Sequence, residues 1–129
     1  MEIAVIIGDR RDVWYLELFK LTQPRHHLTN SNSAEDLIYQ MTKNEFRPDL
    51  VLYDVEEYDG TTWTGETRTL AQKVKLRVVA VSPRYTTQEA IAALTDGCCV
   101  DYMDKNIVFE PEKFLDEIQS AYKRGIPRY

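Results

Sequence analysis

The chain has 129 residues and a net charge of −5 at neutral pH, a length that suits one compact domain rather than two. Hydrophobic residues make up 43% and charged residues 29%, ordinary for a globular protein. The acidic balance and the scattered Lys and Arg, with Arg10-Arg11 the one adjacent basic pair near the start, argue against direct binding of nucleic acid by clustered phosphate contacts.

Ile3 to Ile7 is a short, β-branched apolar run, which reads as a strand covered on both faces. Asp12 is placed to cap a following helix whose apolar side is Val13, Leu16 and Phe19, with Trp14, Leu18 and Leu21 as further candidates. Pro24 ends that helix, and a weak strand is expected around His26 to Thr29. Ser33 opens a second helix, with Asp36 in the capping-box position and Leu37, Ile38 and Met41 as the buried stripe. Leu50 to Tyr53 is a second buried strand after the Pro48-Asp49 break. Residues 55–65 read as a long polar loop, followed by a weak helix over Glu66 to Lys75 anchored by Leu70, Ala71 and Val74. Arg77 to Val81 is another β-branched run, and Thr87 to Thr95 a helix with Ala90, Ile91, Ala93 and Leu94 apolar, closed by Gly97. Val100 to Met103 is the last strand. Glu110 to Lys123 is the clearest helix, with Phe114, Leu115, Ile118, Ala121 and Tyr122 at helical spacing and Lys123-Arg124 at its negative end.

Strands and helices thus alternate five times, which predicts an α/β domain with a parallel sheet covered on both faces and right-handed crossovers. No apolar run approaches the length of a membrane span, and the first residues do not read as a basic region followed by an apolar signal segment. No membrane contact and a cytoplasmic location are the resulting expectations.

In such sheets ligands gather at the carboxyl ends of the strands. Standing there are Gly8 and Asp9, Asp54 with Glu56, Glu57 and Asp59 just beyond, Ser82, and Lys105. Asp9 and Asp54 offer hard oxygens suited to Mg²⁺, and a carboxylate can serve as the nucleophile that becomes an aspartyl phosphate. Lys105 offers a point charge and Ser82 a hydroxyl donor for phosphoryl oxygens. Each has a plainer reading as well: Asp54 as a turn cap, Lys105 as a solvated lysine, Ser82 before Pro83 as turn chemistry. The ordered occurrence of all four at strand ends favours function. His26 and His27 lack metal-ligand spacing and receive no role. Cys98 and Cys99 are adjacent, without C-x-x-C spacing, and read as buried thiols. Trp63 is open between a packing anchor, a cover over the pocket and a partner contact.

The segment Pro48-Asp49-Leu50-Val51-Leu52-Tyr53-Asp54 resembles the phosphoacceptor strand of the two-component response-regulator receiver family. Asp101-Tyr102-Met103-Asp104-Lys105 resembles that family's last strand and lysine, Val78-Val79-Ala80-Val81-Ser82 the strand bearing its Ser/Thr, and Ala4-Val5-Ile6-Ile7-Gly8-Asp9 its first strand and acidic pair. The resemblance implies a flavodoxin-like (βα)5 three-layer sandwich, a five-stranded parallel sheet of order 2-1-3-4-5, with residues 1–124 as the domain and 125–129 as a tail or the start of a linker. It implies Asp54 as phosphoacceptor, with Ser82 and Lys105 binding the phosphoryl group. It also implies Mg²⁺ held by Asp9, Asp54 and the backbone carbonyl of Glu56, and Tyr102 as a switch residue alongside Ser82. The implied partners are a sensor histidine kinase or phosphotransfer protein, an output domain or downstream protein, and, through the face of the fourth helix, fifth strand and fifth helix, a second copy. The domain would be no enzyme beyond its own phosphotransfer and autodephosphorylation.

The sequence departs from the family pattern where Gly8 replaces one acid of the pair, where Pro83 follows Ser82, and where Asn106 follows Lys105 in place of proline. The Gly97-Cys98-Cys99-Val100 stretch is also a residue longer than the usual approach to the last strand. These departures support an alternative, a pseudo-receiver acting as a protein–protein interaction module without phosphorylation. An unrelated flavodoxin-like enzyme or nucleotide binder is the weaker choice, because neither G-x-G-x-x-G nor G-x-x-x-x-G-K-[ST] occurs.

Overall fold

The computed structural model describes residues 1–7, 13–23, 25–55, 62–83, 86–95 and 99–124, those at 62–64 and 93 by backbone alone. The elements in chain order are β1 (Glu2–Ile6), α1 (Val13–Thr22), β2 (His27–Ser31), α2 (Ala34–Asn44), β3 (Leu50–Asp54), α3 (Thr62–Arg68), β4 (Val78–Ser82), α4 (Thr87–Thr95), β5 (Asp101–Asp104) and α5 (Pro111–Arg124). The five strands form one parallel sheet of order β2-β1-β3-β4-β5, the doubly wound arrangement expected. Asp12, Pro24 and Gly97, expected to punctuate helices, lie outside the described residues, as does the 125–129 tail.

Strand side chains alternate between faces, and this parity sorts the core into two clusters. Ile3, Val5, Leu50, Leu52, Val79, Val81 and Met103 pack under Trp14 and Leu18 of α1 and Phe114, Ile118 and Ala121 of α5. Ala4, Ile6, Val51, Tyr53, Val78, Ala80 and Tyr102 pack under Ala34 and Leu37 of α2, Leu70 and Ala71 beyond α3, and Ala90 of α4. Both faces are dry, which is why the strands read as unbroken apolar runs rather than alternating ones.

Several boundaries and faces differ from the sequence reading. On α1 the expected apolar side is reversed: Trp14 and Leu18 are buried, whereas Val13, Leu16 and Phe19 are exposed. Both stripes have helical spacing; the Trp14–Leu18 side packs into the core of the first sheet face, with the indole beside Lys105. The third helix starts at Thr62 rather than Glu66 and widens over Thr69–Lys73 into a π-helical turn. Lys75 then takes a left-handed conformation at φ 64°, and Arg47 closes the turn by donating to the carbonyls of Val74 and Lys75. Ile91 and Leu94 of α4 and Tyr122 of α5 are exposed or nearly so rather than core. The Ser33 cap is as expected, its hydroxyl accepting from the Asp36 amide at 3.0 Å. Asp36, however, accepts from the Asn32 amide, one residue earlier than a standard capping box.

At the far end of β5, Arg124 joins Asp101 at 3.2 Å and the Val100 carbonyl at 3.1 Å. The second carboxylate oxygen of Asp101 is buried without a hydrogen-bond donor. Burial, and then the neighbouring Asp101 carboxylate, push the pKa of Glu117 upward, against Arg124 and Lys113. A raised acid stabilises the fold when protonated, so its contribution is present below the ordinary carboxylate range and is lost as pH rises through the raised value.

Two outcomes follow. Leu18→Ala should cost about 2–5 kcal/mol in urea unfolding and Leu16→Ala about 0.5 kcal/mol; equal costs would contradict the orientation of α1. Glu117→Gln should raise the thermal midpoint over the native protein near pH 8, with the gap closing towards about pH 4, as followed by circular dichroism.

Candidate functional site

Asp54 ends β3, and its parity with Leu50 and Leu52 turns it to the α1–α5 face. Lys105 follows β5 and shares the parity of Met103, which brings it to the same face. The two meet although 51 residues apart: the Lys105 Nζ donates to Asp54 Oδ2 at 3.0 Å. Asp54 is 1% and Lys105 6% exposed. Stripping two ions of water is costly and is repaid only by close, well-bonded contact, so this pair is a charged site held ready inside the fold. The Lys105 ammonium also stands 5.3 Å from the centroid of the Trp14 ring, within cation–π range.

Ser82 and Tyr102 belong to the other parity and face α4. Ser82 is 4% exposed at the end of β4, opposite Asp104 in the ladder. Tyr102 is equally buried, with its hydroxyl donating to Glu89 Oε2 at 3.1 Å and the Ser82 hydroxyl near enough to act on it. Burial pushes the Tyr102 hydroxyl pKa up; the Ser82 hydroxyl opposes this, and the Glu89 hydrogen bond and charge reinforce it. The Tyr102–Glu89 bond therefore ties the middle of β5 to the first turn of α4, with Ser82 at the end of β4 beside it.

Asp104 caps the 3-10 turn Lys105–Phe109 by accepting from the Asn106 amide at 3.0 Å. A proline at that position would have no N–H to give, so Asn106 provides its own device for ordering the segment that carries Lys105. Pro83 follows Ser82 as an exposed turn residue.

Asp54, Ser82, Tyr102 and Lys105 are thus brought to one end of the sheet. Asp9 and Glu56, expected with Asp54 as Mg²⁺ ligands, lie outside the described residues, as do Gly8, Glu57 and Asp59. The Asp54 carboxylate is the hard oxygen donor that such an ion takes, while no group of three or more His, Cys, Asp or Glu side chains able to hold a metal occurs among the described residues. His26 and His27 sit at the opposite end of the sheet, His26 beside the N-terminal amine and His27 beside Glu2, in keeping with having no part here.

Two contributors were not singled out for the site from sequence. Glu89 shows no spacing that links it to Tyr102, since a helix must dock to bring them together. Trp14 was recognised only as a candidate core residue. A third residue, Glu66, accepts from the Tyr53 hydroxyl and from the Ala34 amide at the start of α2, joining α3, β3 and α2 beside the site.

No family model matches the chain, and a search of curated proteins finds no match. Solved structures do match. The BeF3-activated N-terminal receiver domain of Klebsiella pneumoniae RstA superposes with a TM-score of 0.73 at 19% identity, covering 95% of this chain and 98% of its own. The chain has the receiver fold. The receiver domain of Francisella response regulator 1452 gives a TM-score of 0.69 at 18% identity, over 95% and 97% of the two chains. A pilus assembly-related protein from Burkholderia pseudomallei gives 0.73 at 18%, over 100% and 94%. In this receiver fold Asp54 and Lys105 occupy the ends of the third and fifth strands.

The ion pair is open to a direct check. In a urea-unfolding cycle of Asp54→Asn, Lys105→Met and the double variant, the two changes should be non-additive by about 1–3 kcal/mol, because each single change leaves its partner charge buried.

Proposed function

We propose that the chain is a response-regulator receiver domain that accepts a phosphoryl group on Asp54. The observation that carries this reading is the buried Asp54–Lys105 pair at 3.0 Å, placed at the carboxyl ends of a 2-1-3-4-5 parallel sheet, where ligands of such sheets bind.

The Asp54 carboxylate attacks the phosphorus of a phosphohistidine or a small acyl phosphate. A new O–P bond forms, and the bond to the imidazole nitrogen or acyl oxygen breaks with its electron pair leaving on the donor. Phosphoryl transfer asks chiefly for positioning and charge neutralisation. Lys105 passes from the carboxylate to a phosphoryl oxygen, and the Ser82 hydroxyl turns from Tyr102 to another. Mg²⁺, held by Asp54 together with Asp9 and the Glu56 carbonyl in the family pattern, would supply the remaining positive charge.

The loss of the Ser82–Tyr102 contact is the means by which modification reaches α4, since Tyr102 is tied to Glu89. The partners are then a histidine kinase or phosphotransfer protein upstream and an output domain or downstream protein. The fold is shared with part of a longer chain: Brucella abortus NtrX superposes at a TM-score of 0.72 and 20% identity over 26% of its length. Among the described residues no helix is long and apolar enough to cross a membrane.

A second reading is favoured by the same Tyr102–Glu89 bond, which already holds Tyr102 inside. A pseudo-receiver needs only that fixed surface and would bind its partner equally well after Asp54→Asn.

Incubation with Mg²⁺ and acetyl phosphate, followed by intact-mass measurement, separates the two. The expected result is a gain of one phosphoryl group that Asp54→Asn abolishes. No gain, under conditions that label an established receiver, would leave the interaction module as the standing reading.

A further inference from the structure

We propose that Trp14 is a positioning residue for Lys105, its indole face holding the ammonium against Asp54 and making α1 one wall of the site. The kinetic consequence rests on the phosphoacceptor reading; the contact itself does not.

Lysine carries its charge on a flexible four-carbon stem with rotatable donors, so a lysine at a reacting centre needs walls. Among the described residues, Asp54 Oδ2 stands at 3.0 Å from the Lys105 Nζ and the Trp14 ring has its centroid at 5.3 Å. The Trp14 side chain is itself buried at 4% exposure. Attraction between a cation and the negative face of indole is greatest where water is excluded. The indole also has no acceptor that could take the ammonium away from an incoming phosphoryl group. An aliphatic side chain would fill the same volume without holding the charge.

The rotation of α1 agrees with this role. Val13, Leu16 and Phe19 form an equally regular stripe, yet they are left exposed while the Trp14–Leu18 side turns inward. Lys105 is held on the 3-10 turn after β5, and that turn is itself packed against α1. The placement of the ammonium is therefore shared between the end of β5 and the first turn of α1.

Two measurements test the proposal, and failure of either overturns it. In unphosphorylated protein, Trp14→Leu, Lys105→Met and the double variant are compared by urea unfolding. The expected coupling is about threefold or more in the unfolding equilibrium constant; additive losses show that ring and ammonium do not interact. The second uses Trp63→Phe protein grown with mono-, di- and trifluorinated tryptophan, so that Trp14 alone carries the label. Fluorination drains the ring face of negative charge with little change in shape. The rate of Asp54 labelling by acetyl phosphate should fall stepwise, by about three- to tenfold over the series, with the Mg²⁺ and donor concentrations held fixed. A rate indifferent to fluorination reduces Trp14 to packing. Should Asp54 take no label in the unfluorinated reference, the phosphoacceptor reading fails, and the urea cycle decides the contact by itself.

Discussion

Two opposite charges, brought from strands 51 residues apart and closed off from water, organise this protein. Neither ion gains stability from being buried; their close, hydrogen-bonded contact offsets part of the cost. Such a pair demands a rigid frame. The frame is the parallel sheet, whose register sets Asp54 beside Val81 on β4 and Ser82 beside Asp104 on β5. The dry apolar layers on both faces serve to hold that register, since a slip of one residue would turn Asp54 to the opposite face.

The sheet also divides labour between its two sides. On the α1–α5 side lie the carboxylate, the ammonium and the indole of Trp14. On the α4 side lie Tyr102 and Glu89, joined by a hydrogen bond, with Ser82 beside them. Ser82 sits at the rim where the two sides meet. Tyr102 is already buried and its hydroxyl already engaged by Glu89.

The departures from the family pattern take on physical meaning in the same frame. Asn106 is no loss of a proline alone, for its amide bonds to Asp104 and orders the turn carrying Lys105. Pro83 places a residue without N–H directly after Ser82. Glu66 has a comparable structural part on the α2–α3 side, holding the Tyr53 hydroxyl and the first amide of α2 at once.

The alternation of short β-branched runs with amphipathic stretches determined five strands and five helices in order, and with them the identity of the residues at the strand ends. Asp54, Ser82 and Lys105 were legible because strand ends are where apolar runs stop, a one-dimensional signal. Helix rotation was not legible. On α1, Val13-Leu16-Phe19 and Trp14-Leu18-Leu21 have equally helical spacing, and only docking on the sheet chooses between them. The early start of α3 escaped notice because Thr62 to Gly65 holds a single apolar residue, Trp63, among Thr and Gly, too few for periodicity to register. Glu89 and Trp14 entered the site through contacts between elements distant in sequence. Spacing along a chain determines which side chains share a face, whereas tertiary packing alone decides what that face meets.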